Sequence, residues 1–155
     1  MKIRVVALGH RMPAWVAAGW QEYARRVPRE WALDLVELKP EARDRRKPVS
    51  QLLTLEAERI RTACRSARMV CLDERGASWT TQILASELGR CRDDGEDVAF
   101  VIGSADGLDP ALLGKAAAVV AISALTLPHA LVRVVLAEQL YRASAVLAGH
   151  PYHRE

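Results

Sequence analysis

Short apolar runs alternate with longer segments of helical spacing along all 155 residues of this chain, and no other feature limits its fold as strongly. Five runs have the length and the β-branched, apolar composition of strands: residues 3–8, 33–38, 69–72, 98–102 and 117–122. Helical periodicity covers most of the sequence between and after them: residues 13–26, 50–65, 80–92 and 129–147, with a short helix from about Pro110. This order predicts one three-layer α/β domain over residues 1–155, built on a mainly parallel sheet.

Charge and composition exclude few classes of function. Half of the residues are apolar, enough for a full core, and 22 Lys and Arg against 19 Asp and Glu leave a net charge of +3. So small a charge permits a nucleic-acid partner without requiring one. Residues 39–47 concentrate five cations against two anions, and this segment is either a solvated loop or a patch that contacts phosphate.

The sequence carries no signal for export or for a membrane span. Cys64, Cys71 and Cys91 are odd in number and contain no Cys-x-x-Cys pair, so they predict neither a disulfide framework nor a zinc ribbon. Cys71 lies inside an apolar run, as a small core residue would. Residues 1–8 are too short and too charged for a signal peptide, and no run reaches the ~18 apolar residues of a membrane helix. We therefore expect a soluble cytoplasmic protein.

Polar loops follow the two most continuously apolar runs, residues 98–102 and 117–122, and loops in this position commonly hold small polar ligands. The segment 103–107 (GSADG) matches neither the Gly-x-Gly-x-x-Gly of dinucleotide folds nor the Gly-Lys-Ser/Thr of a P-loop. A nucleoside triphosphate is therefore not expected. Gly103 either opens the backbone to a ligand or only serves a turn, and Asp106 could cap the short helix that follows.

The segment 122–127 mixes small, apolar and hydroxyl side chains ahead of Pro128. It offers main-chain donors and acceptors inside an apolar slot, which suits an adenine ring. An ordinary connection from a strand to a helix has the same composition, so both interpretations stay open.

The last helix and the tail after it indicate partners. Apolar side chains on residues 129–147 cover more than the ~100° stripe that one core face needs, so the helix is either deeply buried or, as we expect, pairs with a second copy. The tail 150–155 combines His, Pro, Tyr and Arg, which suit stacking on a base and gripping a phosphate, although many C-termini simply fray. His150 and His153 have no carboxylate or Cys nearby except Glu155, so we expect no metal site.

Several short motifs occur in order along the whole chain. They are Val6-Ala-Leu-Gly9 with Met12-Pro13-x-Trp15, Leu72-Asp73-x-x-Gly76, Phe100-Val-Ile-Gly103 with Asp106-Gly-Leu108, Ser123-Ala-Leu-Thr-Leu-Pro-His129, Leu131-Val-Arg133, Ala137-Glu-Gln-Leu-Tyr-Arg142 and His150-Pro-Tyr-His-Arg-Glu155. Together they resemble the ribosomal RNA large subunit methyltransferase H family of the knotted SPOUT methyltransferases. Ser104, Ala130 and Ser144 depart from residues frequent in that family (Gly, Pro and Trp), and none of these departures removes a reactive group.

The resemblance implies a C-terminal deep trefoil knot, a homodimer, and S-adenosylmethionine as methyl donor. It implies methylation of ring nitrogen 3 of a pseudouridine in 23S rRNA within the assembled ribosome; the alternative is a non-catalytic RNA-binding α/β module. By matching position, it places donor contacts at Leu72, Gly103, Ile122, Ser123, Ala124, Leu125, Thr126 and Leu127. It likewise places substrate and catalytic roles at Arg142, Tyr152, His153 and Arg154.

Overall fold

The computed structural model describes residues 1–43 and 46–154, the side chains of His153 and Arg154 excepted. Within this part of the chain the strands are β1 (Ile3–Leu8), β2 (Asp34–Leu38), β3 (Arg68–Ser78), β4 (Val98–Ile102) and β5 (Ala118–Ala121). All pair in parallel in one sheet of order β2-β1-β4-β3-β5. The predicted α/β fold with a mainly parallel sheet is confirmed.

Helices connect the strands and cover both faces of the sheet. They are α1 (Ala14–Ala24), α2 (Val49–Cys64), α3 (Thr81–Asp93), α4 (Pro110–Leu113) and α5 (His129–Leu147), with 3₁₀ turns at Arg29–Trp31 and Pro151–Arg154. None of the helices in the described ranges combines the length and the apolar content needed to cross a bilayer.

Alternation along the central strands builds the two halves of the core. On β1, Val5 packs into one apolar cluster with Phe100 of β4, together with residues of α3 and α5. The neighbouring Val6 packs into a second cluster on the opposite face, with Val101 and with Ile60 of α2. Successive side chains of a strand point to opposite faces, so both faces of β1 and β4 are buried. This accounts for three layers.

The prediction of β3 as residues 69–72 was wrong in extent. The strand register breaks after Leu72 and resumes at Ala77, which pairs with Val120 of β5. The intervening polar residues 73–76 conceal this continuation in the sequence. Gly76 lies so close to β5 that a Cβ there would be 2.6 Å from the Val120 nitrogen, so only glycine fits.

The cap of α3 is as predicted, whereas that of α4 is a different residue from the one predicted. Thr80, one of two threonines expected to cap α3, accepts a hydrogen bond from the Ile83 N–H at 3.2 Å. Asp106 does not cap α4, because Asp109 immediately precedes Pro110 and accepts bonds from the first free N–H groups of the helix, including that of Ala111 at 2.7 Å.

The three cysteines are buried and unpaired. Burial raises the pKa of the Cys71 thiol to about 12 and that of Cys64 to about 11, so both stay protonated at neutral pH. A protonated buried thiol is a poor nucleophile, and Cys71 is the core residue that its apolar run predicts.

Candidate active site

The carboxyl end of the sheet opens into a cleft of about 980 Å³, a size typical of small-molecule sites. Its walls are the bulge of β3 (residues 73–76, where the register of the strand breaks), the loop after β4 and the segment between β5 and α5. Of the residues expected to contact a donor, the cleft is lined by Leu72, Gly103, Ile122, Ser123, Leu125, Thr126 and Leu127. Ala124 is exposed and lies outside this lining.

The charged side chains of the cleft balance to a net −1. Asp73, Glu74 and Asp106 supply three negative charges, and Arg43 and Arg75 supply two positive ones. Arg75 donates to both carboxylate oxygens of Asp73 at 2.9 Å, and these bonds are the main cause of the lowered pKa of Asp73. Asp73 is therefore ionised at neutral pH, and the cleft favours a ligand of net positive charge.

A buried polar chain from α5 supports the cleft wall. His129 Nδ1 lies 2.8 Å from the Gly103 carbonyl oxygen, and Arg133 Nε donates to His129 Nε2 at 2.9 Å. Arg133 is 1% exposed and also donates to the Gly9 carbonyl at 2.6 Å and to Glu37 at 2.5 Å. Since Nε2 accepts, we assign the ring proton to Nδ1, which donates to Gly103.

Burial, assisted by the charge of Arg133, lowers the pKa of His129, so the ring is neutral at pH 7. In the unfolded chain His129 takes up a proton near its ordinary pKa of 6.5, whereas in the folded chain it does so only at lower pH. Stability falls as the pH drops through about 6.5, by at most about 1.4 kcal/mol per pH unit from this group.

We expect His129→Gln to flatten the dependence of the free energy of unfolding on pH between about 7 and 5. Urea unfolding at several pH values measures this; equal slopes for the two proteins would contradict the assignment.

Gly103 closes the turn after β4. A Cβ at this position would lie 2.7 Å from the Gly107 carbonyl oxygen and 2.9 Å from Leu108 Cγ. Gly107 itself has a φ of +85°, which glycine adopts readily. The turn itself fills the space of the missing side chain, so the turn requires glycine here. A donor contact at Gly103 stays a prediction.

The expected substrate-side residues Arg142 and Tyr152 lie together at the far end of α5. Arg142 Nε donates to Glu138 at 2.8 Å, and its guanidinium lies 4.7 Å from the centroid of the Tyr152 ring. The Tyr152 hydroxyl donates to the same Glu138 carboxylate at 3.2 Å, and burial followed by the charge of Glu138 raises its pKa. The side chains of His153 and Arg154 lie outside the described part of the structure.

One chain does not bring these two groups of residues together. His129 lines the cleft and Arg142 lies 13 residues further along α5. At a rise of 1.5 Å per residue the two are about 20 Å apart along the helix axis. The cleft and the Arg142–Tyr152 cluster are therefore at opposite ends of one helix.

Sequence reasoning assigned no role to four residues that contribute to these sites. Glu138, which holds Arg142 and Tyr152, and the pair of His129 and Arg133 lie on α5 at the four-residue spacing that places side chains on one face. Polar pairs at this spacing on an apolar helix were the available signal. Glu56 of α2, fully buried against Arg43, has no such signal.

The basic segment 39–47 does not behave as one patch. Arg43 is bound to Glu56 and Asp106, so its charge is neutralised within the chain. Lys39 and Lys47 are exposed, and Asp44 and Arg45 lie outside the described residues. Contact between this segment and RNA stays a prediction. Among the residues that the structure describes, no three His, Cys, Asp or Glu side chains group as metal ligands would.

Comparisons with known proteins define first the class and then the group. A family model described as "Predicted SPOUT methyltransferase" matches residues 1–153. The chain is 59% identical over 155 residues to "Ribosomal RNA large subunit methyltransferase H" of Nitrosospira multiformis, and 52% identical to the protein of that name from Burkholderia thailandensis, with 99% of each chain covered. A solved SpoU methyltransferase, AviRb from Streptomyces viridochromogenes with AdoMet, is 15% identical over 93% of this chain and 57% of its own, with a TM-score of 0.42. The chain therefore belongs to the SPOUT methyltransferases and, among them, to the family of the ribosomal RNA large subunit methyltransferase H proteins.

Proposed function

We propose that this protein transfers a methyl group from S-adenosylmethionine to ring nitrogen 3 of a pseudouridine in 23S rRNA of the assembled ribosome. The names of its relatives support a large-subunit rRNA substrate. The net charge of the cleft carries the choice of donor. S-adenosylmethionine is cationic overall, whereas ATP and NAD bring phosphates to a cleft whose two guanidinium groups are already paired with carboxylates.

The residues of the cleft fit such a donor. Leu125 is 75% exposed at the rim of the cleft, where its apolar side chain is available to a bound ligand. Thr126 Oγ1 donates to Glu74 at 3.3 Å, which ties the segment 122–127 to the bulge of β3. The apolar slot between the segment 122–127 and the bulge of β3 suits a flat nucleobase. The carboxylates of Asp73 and Glu74 suit hydroxyl groups or positive charge.

The donor, when bound, supplies an already activated methyl group, so the chain has two tasks: alignment of the acceptor and removal of its proton. An imide nitrogen is a poor nucleophile while protonated. A fixed positive charge beside it favours its anion, and Arg142 is held for this role by Glu138. We infer that Arg142, with Arg154, stabilises the acceptor anion, and that Tyr152 offers a ring on which a base can stack.

A complete site needs the tail of one protomer beside the cleft of another. The distance of about 20 Å between cleft and Arg142–Tyr152 cluster within one chain supports this arrangement. Trp15 on α1 and Ile83 on α3, the helices packed against α5, are 54% and 42% exposed, as a helical dimer interface would require. We therefore propose a homodimer with two shared sites. The trefoil knot stays part of this proposal, and the strand order, with β3 lying between β4 and β5, is consistent with it.

Donor choice is tested by ligand stabilisation against unfolding. At 100 times its dissociation constant, S-adenosylmethionine should raise the free energy of unfolding by about 2.7 kcal/mol, whereas ATP and NAD at equal concentration should not. Thermal melts of the purified protein with each ligand measure this. Stabilisation by ATP or NAD alone would indicate a nucleotide-using enzyme, and stabilisation by none would favour the RNA-binding module.

A further inference from the structure

Glu56 is a buried charge that the proposed mechanism does not use. Its residue is 1% exposed on α2, and one of its carboxylate oxygens accepts the Glu41 backbone N–H at 2.9 Å. Arg43 forms an ion pair with it, and the Ser104 hydroxyl lies 3.1 Å from its second oxygen. A carboxylate this deep persists only when charge and hydrogen bonds compensate its lost hydration.

The guanidinium of Arg43 has no N–H left for a ligand. Its Nε donates to Asp106 at 2.9 Å, and Nη1 donates to the Glu41 carbonyl at 2.8 Å and to Glu56. Nη2 donates to the Ser104 hydroxyl at 2.6 Å and lies 3.4 Å from Glu56. These contacts account for all five N–H groups of an arginine. Although Arg43 lines the cleft, it acts on other residues and not on a ligand.

We propose that Arg43 is a positioning residue for the methyl donor: anchored on Glu56, it holds the turn 103–107 in the shape that closes the donor cleft. The inference rests on the proposed function. Two of its contacts, Ser104 and Asp106, lie in that turn, whereas its anchor, Glu56, lies on α2. Loss of the anchor leaves the turn free to move, and a cleft with a mobile wall binds its ligand more weakly.

Ser104 contacts both Arg43 and its anchor Glu56. The family resemblance leads to a glycine at this position, which has no side chain to reach Glu56. Here the hydroxyl accepts from Arg43, and it lies 3.5 Å from the Gly107 carbonyl within the same turn. The serine therefore adds a direct link between the anchor and the turn.

The test is a double-mutant cycle read by calorimetry with S-adenosylmethionine. Arg43→Gln should raise the dissociation constant about 10-fold or more and raise the KM for the donor, with kcat at saturating donor little changed. Arg43→Lys keeps the charge but not the forked set of N–H donors, so its dissociation constant should lie between those of the unmodified protein and Arg43→Gln. In the background Ser104→Gly/Asp106→Ala, Arg43→Gln should have almost no further effect, because the links through which it acts are gone.

Arg59→Gln is the matched control. Arg59 lies on α2, like the anchor Glu56, and contacts the segment that carries Arg43: it donates to the Lys39 carbonyl at 2.7 Å and pairs with Glu41. None of these contacts reaches the turn 103–107. Its replacement should leave donor affinity unchanged. If Arg43→Gln fails to fold because Glu56 loses its partner, Arg43→Gln/Glu56→Gln removes both charges and should show the same weakened affinity.

The outcomes separate this inference from the proposed function. Absence of S-adenosylmethionine binding by the unmodified protein overturns the proposed function, whatever Arg43 does. Normal binding by the unmodified protein with equally tight binding by folded Arg43 variants overturns only the positioning role. Additive effects of the Arg43 and turn substitutions overturn it as well.

Discussion

Replacing Arg142 with Ala should lower the single-turnover rate of methyl transfer by about 100- to 1,000-fold, the typical cost of losing one preorganised charge-stabilising donor. Donor affinity should stay within about 2-fold, because the proposed role of Arg142 is to stabilise the acceptor anion and not to hold the donor. Arg142→Lys should lower the rate of methyl transfer less than Arg142→Ala does, because it retains the positive charge. Rapid-mix transfer of a labelled methyl group to ribosomes, paired with calorimetry, measures both quantities.

Arg90→Ala is the control for this substitution. Arg90 is also a helical arginine paired with a nearby glutamate, but it is 53% exposed on α3, where such pairs contribute little. Its loss should change neither rate nor affinity. A full rate for Arg142→Ala, or a parallel loss of donor affinity, would contradict the role given to Arg142.

His153→Ala separates charge stabilisation from general-base catalysis. If Arg142 and Arg154 favour the acceptor anion, loss of the imidazole should cost less than about 10-fold. A general base contributes about 100- to 10,000-fold, so a loss of that size with unchanged RNA binding would assign the proton to His153.

Replacing Gly103 with Ala should weaken S-adenosylmethionine binding by about 10- to 100-fold. The new methyl group would lie 2.7 Å from the Gly107 carbonyl oxygen, so the backbone of the turn must move. Forced contacts of this kind typically also cost about 1–3 kcal/mol of stability. Calorimetry with the donor and urea unfolding measure the two effects.

Gly95→Ala provides the matched control. Gly95 has a φ of +70°, but a Cβ there would meet nothing within 4 Å, and it does not line the cleft. Its replacement should reduce stability through the backbone alone and leave donor affinity unchanged. Tight donor binding by Gly103→Ala would contradict the importance of this turn.

Mixing the two variants tests the shared site, at a donor concentration that saturates the unmodified cleft but not the Gly103→Ala cleft. In a homodimer that exchanges subunits freely, half of the dimers formed by Arg142→Ala and Gly103→Ala chains pair one of each. Each such dimer has one site with both an intact cleft and an intact tail, so about a quarter of the sites recover. An inactive mixture whose exchange has been verified would contradict sharing.

Local sequence signals predicted the parts of the fold that depend on neighbours in the chain. Val98–Ile102 is a strand as expected, because a continuous apolar run between polar loops leaves it little alternative. The return of β3 to pairing at Ala77 was not predictable, since it depends on how closely β5 approaches Gly76. Asp109 directly precedes Pro110, so its cap on α4 could be read from the sequence, whereas the pairing of Asp106 with Arg43 could not.

The candidate site divides in the same way. The segment 122–127 and Gly103 follow buried strands, so their place on the cleft could be read from the order of elements. The anchor on Glu56 joins residues far apart in the sequence, and no spacing rule reveals it. The separation of His129 from Arg142 follows from the predicted helix 129–147, but that His129 lines the cleft was visible only in the structure.

The most direct test is methyl transfer to the proposed acceptor. Ribosomes from cells that lack this protein are incubated with the purified chain and isotopically labelled S-adenosylmethionine, and the 23S rRNA is digested and mapped by mass. We predict one labelled methyl group, on ring nitrogen 3 of a single pseudouridine, and none with Arg142→Ala. Label on another base, or none in 23S rRNA despite tight donor binding, would contradict the account.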